Sequence, residues 1–193
     1  MIRIALLSLF ILFTLSVFPQ NEAKPVYSGG MLILQPGYAF TTTRHQEINQ
    51  LGFGIGGILR FYFLDICTAG IFGGSQRTGY TSGGSDNSYL NLGYGGPFAG
   101  LSRKNGKFRY TASVFGGKGS IKNLHIGQQT DDQLLDAYWK KHPVWVFSPL
   151  LSIDYSLSQK LLVTLQAVCL TARYDGDRRL YNPTLQLGVL FNR

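Results

Sequence analysis

Residues 144–157 read VWVFSPLLSIDYSL. In an extended chain Trp145, Phe147, Pro149, Leu151, Ile153, Tyr155 and Leu157 share one face. Val144, Val146, Ser148, Leu150, Ser152, Asp154 and Ser156 share the other. Strict alternation over this length is the signature of a β-strand with two different surroundings. It is also too long for an ordinary soluble sheet, whose strands run about 5–6 residues, and long enough for a tilted transmembrane strand, which needs roughly 9–11.

The same period recurs outward from this segment. Tyr181, Pro183, Leu185, Leu187, Val189 and Phe191 alternate with Asn182, Thr184, Gln186, Gly188 and Leu190. Leu51, Phe53, Ile55, Leu59, Phe61 and Phe63 alternate with Gly52, Gly54, Gly56, Arg60 and Tyr62. Phe108, Tyr110, Ala112 and Val114 alternate with Lys107, Arg109, Thr111 and Ser113. Leu32, Leu34, Tyr38 and Phe40 are set against Gln35, Gly37 and Thr41. Leu90, Leu92 and Tyr94 alternate with Asn91, Gly93 and Gly95, and then the pattern slips at Gly95-Gly96-Pro97, where a bulge is expected. Segments 66–80 and 160–174 are strand-like with ambiguous phase. The expectation is eight strands, near 31–43, 50–63, 66–80, 87–103, 107–118, 144–156, 160–174 and 180–192. Tight turns at Leu64-Asp65, Arg103-Lys104-Asn105-Gly106 and Leu157-Ser158-Gln159 alternate with longer polar segments at 44–49, 81–86, 119–143 and 175–179. Short turns at one end and longer loops at the other are the pattern of a transmembrane barrel.

Which face meets which surroundings follows from the residue types. The bulky face carries Trp, Phe and Leu; the other is rich in Gly, Ser, Thr and Asn with few charges. A small closed barrel has room inside for side chains of the second kind only, so the bulky face belongs to lipid. A soluble barrel carrying an apolar ligand is the alternative, and it would reverse the faces. Composition agrees with a membrane strand protein: 24 Gly, 11 Tyr, 13 Phe and only 15% charged residues, against about 25% in soluble domains. The net charge of +8 is spread along the chain with no long basic run and no zinc-finger or helix-turn-helix signature. It therefore points to anionic lipid headgroups and lipopolysaccharide phosphates, not to nucleic acid.

The first residues, MIRIALLSLFILFTLSVF, place Arg3 before an apolar run from Ile4 to Leu15. That is the length of a secretory signal, too short for a spanning helix. Cleavage is expected between Phe18 and Lys24, which divides the chain into a signal peptide at 1–23, a linker at 24–30 and a barrel at 31–193. An uncut signal anchor is the other reading. Cys67 and Cys169 lie in apolar strand-like runs without CxxC spacing, so no metal or cofactor is expected, and a disulfide would need the two on neighbouring strands at one height.

In these features the chain resembles the small, eight-stranded outer-membrane β-barrel proteins of Gram-negative bacteria. The resemblance covers 31–193. Its terminal segment LYNPTLQLGVLFNR resembles the last strand recognised by the barrel assembly machinery, with Phe191 followed by Asn192-Arg193. The resemblance implies an outer-membrane location and an all-β, up-and-down antiparallel barrel.

Candidate functional residues fall in three groups. Arg60, Arg109 and Asp154 are inward positions near the turn end, and Arg109 and Asp154 are expected to pair because a buried charge needs compensation. A plug that fixes register and a narrow ion path are the two readings. Residues 130–142, TDDQLLDAYWKKH, read as a helix: Thr130 with Gln133 makes a capping box, Asp131 and Asp132 suit its start, Lys140 and Lys141 its end, and Pro143 stops it. Leu134, Leu135, Tyr138 and Trp139 would form its apolar face, lying over the barrel mouth, on the outer leaflet or against an extracellular partner. Finally, some eight-stranded barrels acylate or deacylate lipid A, and lipid A palmitoyltransferases carry His, Asp and Ser on outer loops. His45 in the first outer segment, with Ser85 and Asp86 in the second, are the corresponding weak catalytic candidates. His125 and His142 lie in the third. There is no GxSxG elbow and no phosphate loop. The leading expectation is a non-enzymatic membrane protein.

Overall fold

A computed structural model describes residues 27–192 except 64, 65, 84, 131, 132, 175 and 177. The expected signal segment and the Leu64-Asp65 turn lie outside the described residues. The chain forms β1 (Tyr27–Leu34), β2 (Gly37–Thr42), β3 (Glu47–Phe63), β4 (Cys67–Ser82), β5 (Ser85–Asn105), β6 (Phe108–Thr130), β7 (Gln133–Ser156), β8 (Leu161–Tyr174) and β9 (Arg178–Asn192). Each pairs antiparallel with its neighbours, and β1 and β2 both pair with β3 on one side and β9 on the other. They are two halves of one stave. The sheet therefore closes on itself as an eight-staved, up-and-down barrel, with no unpaired edge strand along its wall. Because β1 begins at Tyr27, the last four residues of the expected linker belong to the barrel wall.

The first stave is split by one extra residue. Against β9 the register slips between Leu32 and Leu34, and Ile33 and Leu34 both point outward. Leu32 is consequently buried in the lumen, a correction to the simple alternation, while Tyr38 and Phe40 remain outside. The bulge expected at Gly95-Gly96-Pro97 is absent. The β4–β5 and β5–β6 registers run through it unbroken, and Leu90, Leu92, Tyr94 and Phe98 all face inward. The apparent slip arises because the lumen takes large apolar side chains here.

The 130–142 segment is not a helix. β6 and β7 continue as a long hairpin, with Leu124 opposite Trp139, His125 opposite Tyr138 and Ile126 opposite Ala137. The extended run Ile121–Ile126 supplies a ladder, and those long-range hydrogen bonds outweigh the local capping signals. Leu134, Leu135, Tyr138 and Trp139 are exposed, and pairing sets Tyr138 and Trp139 on opposite faces instead of one stripe. The other expected outer loops shrink likewise, since β4 ends at Ser82 and β5 starts at Ser85.

The two faces are chemically distinct. Outward positions carry Phe53, Ile55, Ile71, Leu101, Val114, Trp145, Phe147, Leu151, Leu185 and Phe191, all exposed. The outward polar groups are satisfied locally, as where Thr171 Oγ1 donates to the Phe147 carbonyl at 2.9 Å. In β7, Pro149 has no N–H and interrupts the ladder to β8, and the Ser148 hydroxyl accepts the Cys169 N–H at 3.0 Å in its place. Cys67 on β4 and Cys169 on β8 are free thiols on non-adjacent staves, which settles the disulfide question. Gly106, at φ +59°, makes the left-handed turn between β5 and β6. Gly70 lets the Leu59 carbonyl lie where a Cβ would otherwise be.

Candidate functional sites: a plugged lumen and a basic outer mouth

Arg60 and Asp154 are buried at 1% and 0% exposure. Arg60 Nη1 donates to both carboxylate oxygens of Asp154, at 2.8 and 2.7 Å, and Nη2 donates to Gln166 Oε1 at 2.6 Å. Thr164 Oγ1 gives Asp154 a further bond at 2.6 Å. From Gln166 the network passes to Gln186 at 2.8 Å, to the Tyr94 hydroxyl at 3.4 Å and to Gln35 at 3.3 Å. Next to it the rings of Phe72, Tyr94 and Phe115 meet at centroid distances of 5.2 to 6.1 Å. Side chains from opposite walls thus meet across the lumen and fill it.

The expected partnership of Arg109 with Asp154 does not form. The two residues are direct cross-strand neighbours, yet the carboxylate turns to Arg60 across the barrel. Arg109 instead lies 3.8 Å over the ring of Tyr62 and donates to Ser102 Oγ at 3.3 Å, near the end where the chain termini of the barrel meet. A guanidinium at the mouth can be solvated and stacked, whereas the buried one cannot, so the single carboxylate goes to Arg60.

At the opposite end three histidines converge, His45 from the first outer segment and His125 and His142 from the third. His45, on the β2–β3 turn, stacks on His125 of β6 at 4.3 Å and on Tyr138 of β7 at 4.9 Å. His142 packs against Tyr174 at 5.9 Å. With Arg44, Lys140 and Arg178 they line a shallow basic cleft. Burial first, then the neighbouring His45, hold the His125 imidazole below its ordinary range, with Asp136 acting in the opposite sense. Ser85 and Asp86 are not part of this cluster. The Ser85 hydroxyl accepts the Asn87 N–H at 3.0 Å, and the described ring contacts of His45 are His125 and Tyr138. Among the described residues, no group of three His, Cys, Asp or Glu side chains is arranged to hold a metal.

Positive charge gathers on the outside near the end that carries the β6–β7 hairpin. Arg77, Asn91, Lys122 and Lys141 lie in one cross-strand row. Arg77 sits 4.0 Å over Tyr89 and Lys118 5.1 Å over Trp145, and Arg173 pairs opposite Arg179. Between this rim and Arg103 at the other end, no charged side chain faces outward among the described residues of the wall. An uncharged apolar belt edged by aromatic rings and cations is what a hydrocarbon layer between two headgroup layers selects.

Fold and faces together define a closed transmembrane β-barrel with a filled lumen. No protein-family model and no curated protein matches the sequence. Solved structures do match. The barrel of Neisserial surface protein A superposes with a TM-score of 0.58 at 10% identity, covering 86% of this chain and 96% of that one. Ail, the attachment invasion locus protein of Yersinia pestis, solved with the heparin analogue sucrose octasulfate, superposes at 0.50 with 13% identity, covering 88% and 99%. Both are small eight-stranded outer-membrane barrels, and this chain has their fold.

Proposed function

We propose that the protein is an integral outer-membrane barrel that neither conducts nor catalyses, and that displays the β6–β7 hairpin as a surface for negatively charged extracellular partners. The hairpin is the observation that carries this reading. The β5 ladder stops at Tyr89 opposite Leu124, and the β8 ladder reaches β7 only at Ala172 opposite Val146. Beyond those pairs β7 is held by β6 on one side, while its β8-facing edge over 133–145 has no described ladder partner and is a template for another extended chain. Lys122, Lys140 and Lys141 make its base basic, while 125–138 carries Asp131, Asp132 and Asp136 and no Lys or Arg, so the base is the part that takes an anion. Below it the rim of Arg77, Lys118, Lys122, Lys141, Arg173 and Arg179 matches the phosphates of lipopolysaccharide. The filled lumen favours a scaffold over a pore, and the engagement of the His45 ring by His125 and Tyr138, in a cleft that Ser85 does not line, favours a non-enzymatic role. The barrel assembly machinery would insert such a chain by its last strand.

The test compares the full protein with a variant carrying Lys122→Gln, Lys140→Gln and Lys141→Gln. Both are inserted into vesicles and passed over immobilised heparin. The expected result is retention of the full protein alone, with both forms showing the heat-shifted gel migration of a closed barrel. Equal retention of the two would refute the hairpin as the binding element, and steady single-channel currents in planar bilayers would refute the non-conducting scaffold.

A further inference from the structure

The outward wall between β5 and β9 is furrowed. In register across five strands stand Leu101, Ala112, Leu151, Ala167 and Leu185. Three leucines therefore rise around two alanine floors. One row nearer the β5–β6 turn stand Arg103, Tyr110, Ile153 and Leu165. The alanines leave a groove of about 690 Å³ bounded by these leucines, with Arg103 and Tyr110 at one end. That volume is within the roughly 300–1,000 Å³ of pockets that hold small organic ligands. The leucines form walls and do not fill the furrow: Leu101 is 65% exposed and Leu151 59%.

Charge enters from one end only. Arg103 opens the turn Arg103-Lys104-Asn105-Gly106-Lys107, which supplies three cations within five residues. A ligand that fits must be apolar along most of its length and anionic at the end facing this turn. A second copy of the chain is a poorer occupant. Two-fold pairing at this height would set one Arg103 turn against the other, like charge on like.

We propose that this groove is a binding site for one anionic glycerophospholipid of the periplasmic leaflet. Arg103 takes the phosphate through a charge-assisted bond, Tyr110 lies at the glycerol level, and an acyl chain runs over Ala112 and Ala167. The proposal rests on the reading of the chain as an outer-membrane barrel. It adds a lipid of defined charge on the leaflet opposite the lipopolysaccharide rim.

Native mass spectrometry of the refolded full chain, titrated with phosphatidylglycerol and separately with phosphatidylcholine, tests it. One phosphatidylglycerol should be retained in preference to phosphatidylcholine. Arg103→Gln should weaken that retention by about tenfold or more, the loss expected for a hydrogen bond to a charged group. Ala112→Leu with Ala167→Leu, which fills the furrow with residues suited to lipid, should weaken it similarly. Lys160→Gln, on the neighbouring turn, should leave it unchanged. Equal retention of the two lipids, indifference to the leucine variant, or an equal loss with Lys160→Gln would overturn the site. A gel of the same samples with and without boiling separates the two failures. A heat-shifted barrel without selective lipid sinks the groove alone, while a chain that never inserts sinks the membrane reading and the groove with it.

Discussion

Removing the carboxylate of Asp154 tests the lumen network most directly. Asp154→Ala leaves the Arg60 guanidinium in a lumen where both residues are at most 1% exposed and where Gln166 is its remaining partner. Two of the three described bonds from Arg60 end on Asp154. Breaking one side of a buried ion pair costs about 3–5 kcal/mol, because a charge is left without compensation. Replacing both partners is different: Arg60→Met with Asp154→Leu removes the desolvation burden along with the attraction, and is expected to be neutral or stabilising by up to about 4 kcal/mol. The signature is thus non-additivity, with each single change worse than the pair. Urea unfolding in phospholipid vesicles, followed through Trp139 and Trp145 and checked by heat-shifted migration, reads it. A double variant as unstable as the sum of the singles would refute the argument, as would a single Asp154→Ala cost below about 1 kcal/mol.

Three more outcomes are expected. The stack of His45 on His125 and Tyr138 should loosen in acid. The His125 pKa is depressed on folding, so the unfolded chain binds its proton more readily, and stability falls as pH drops from about 6.5 through the lower folded value. Smaller amide-exchange protection factors at 44–46 and 125–138 near pH 5 than near pH 7.5, each taken relative to the base-catalysed intrinsic rate at that pH, and a difference abolished by His125→Phe, would show it; equal protection factors would refute it. The protein extracted from the envelope should have a mass beginning at Lys24, whereas a mass that includes residues 1–23 would identify an uncut anchor. His45→Ala should leave the lipid A acyl pattern of the cell unaltered, and a lost acyl modification would make the outer mouth an enzyme site.

Long strands were legible because each side chain has one of two surroundings. In 144–157 and 181–191 lipid and lumen alternate cleanly, and the faces follow from residue type. The rule misleads where the lumen is itself apolar. Leu90, Leu92 and Tyr94 obey the period yet point inward, and only their pairing partners show it. The 130–142 segment misleads for another reason: its capping residues report a local preference, while its conformation is decided by Leu124 and His125 across the hairpin. The choice of Arg60 over Arg109 for Asp154 depends on closure of the barrel, which brings β3 across to β7. The meeting of His45 with His125 and Tyr138 likewise has no trace in spacing along the chain.

The bulge at Ile33-Leu34 acts on side chains as a frameshift acts on codons. Every residue before it is read against the wall in one phase, and every residue after it in the other. Deleting either residue would remove the frameshift: Leu32 inside, one residue outside and Gln35 inside would alternate without a break, and the stave would run on in one register against both β3 and β9. Ser28 and Leu32 would stay toward the lumen and Met31 toward lipid, since the residue removed is the one that the stave has in excess of both β3 and β9. A one-residue deletion here should therefore be tolerated, whereas one within Gly37–Thr42, where the stave has no spare residue, would turn part of it inside out or force it to slide against its partners.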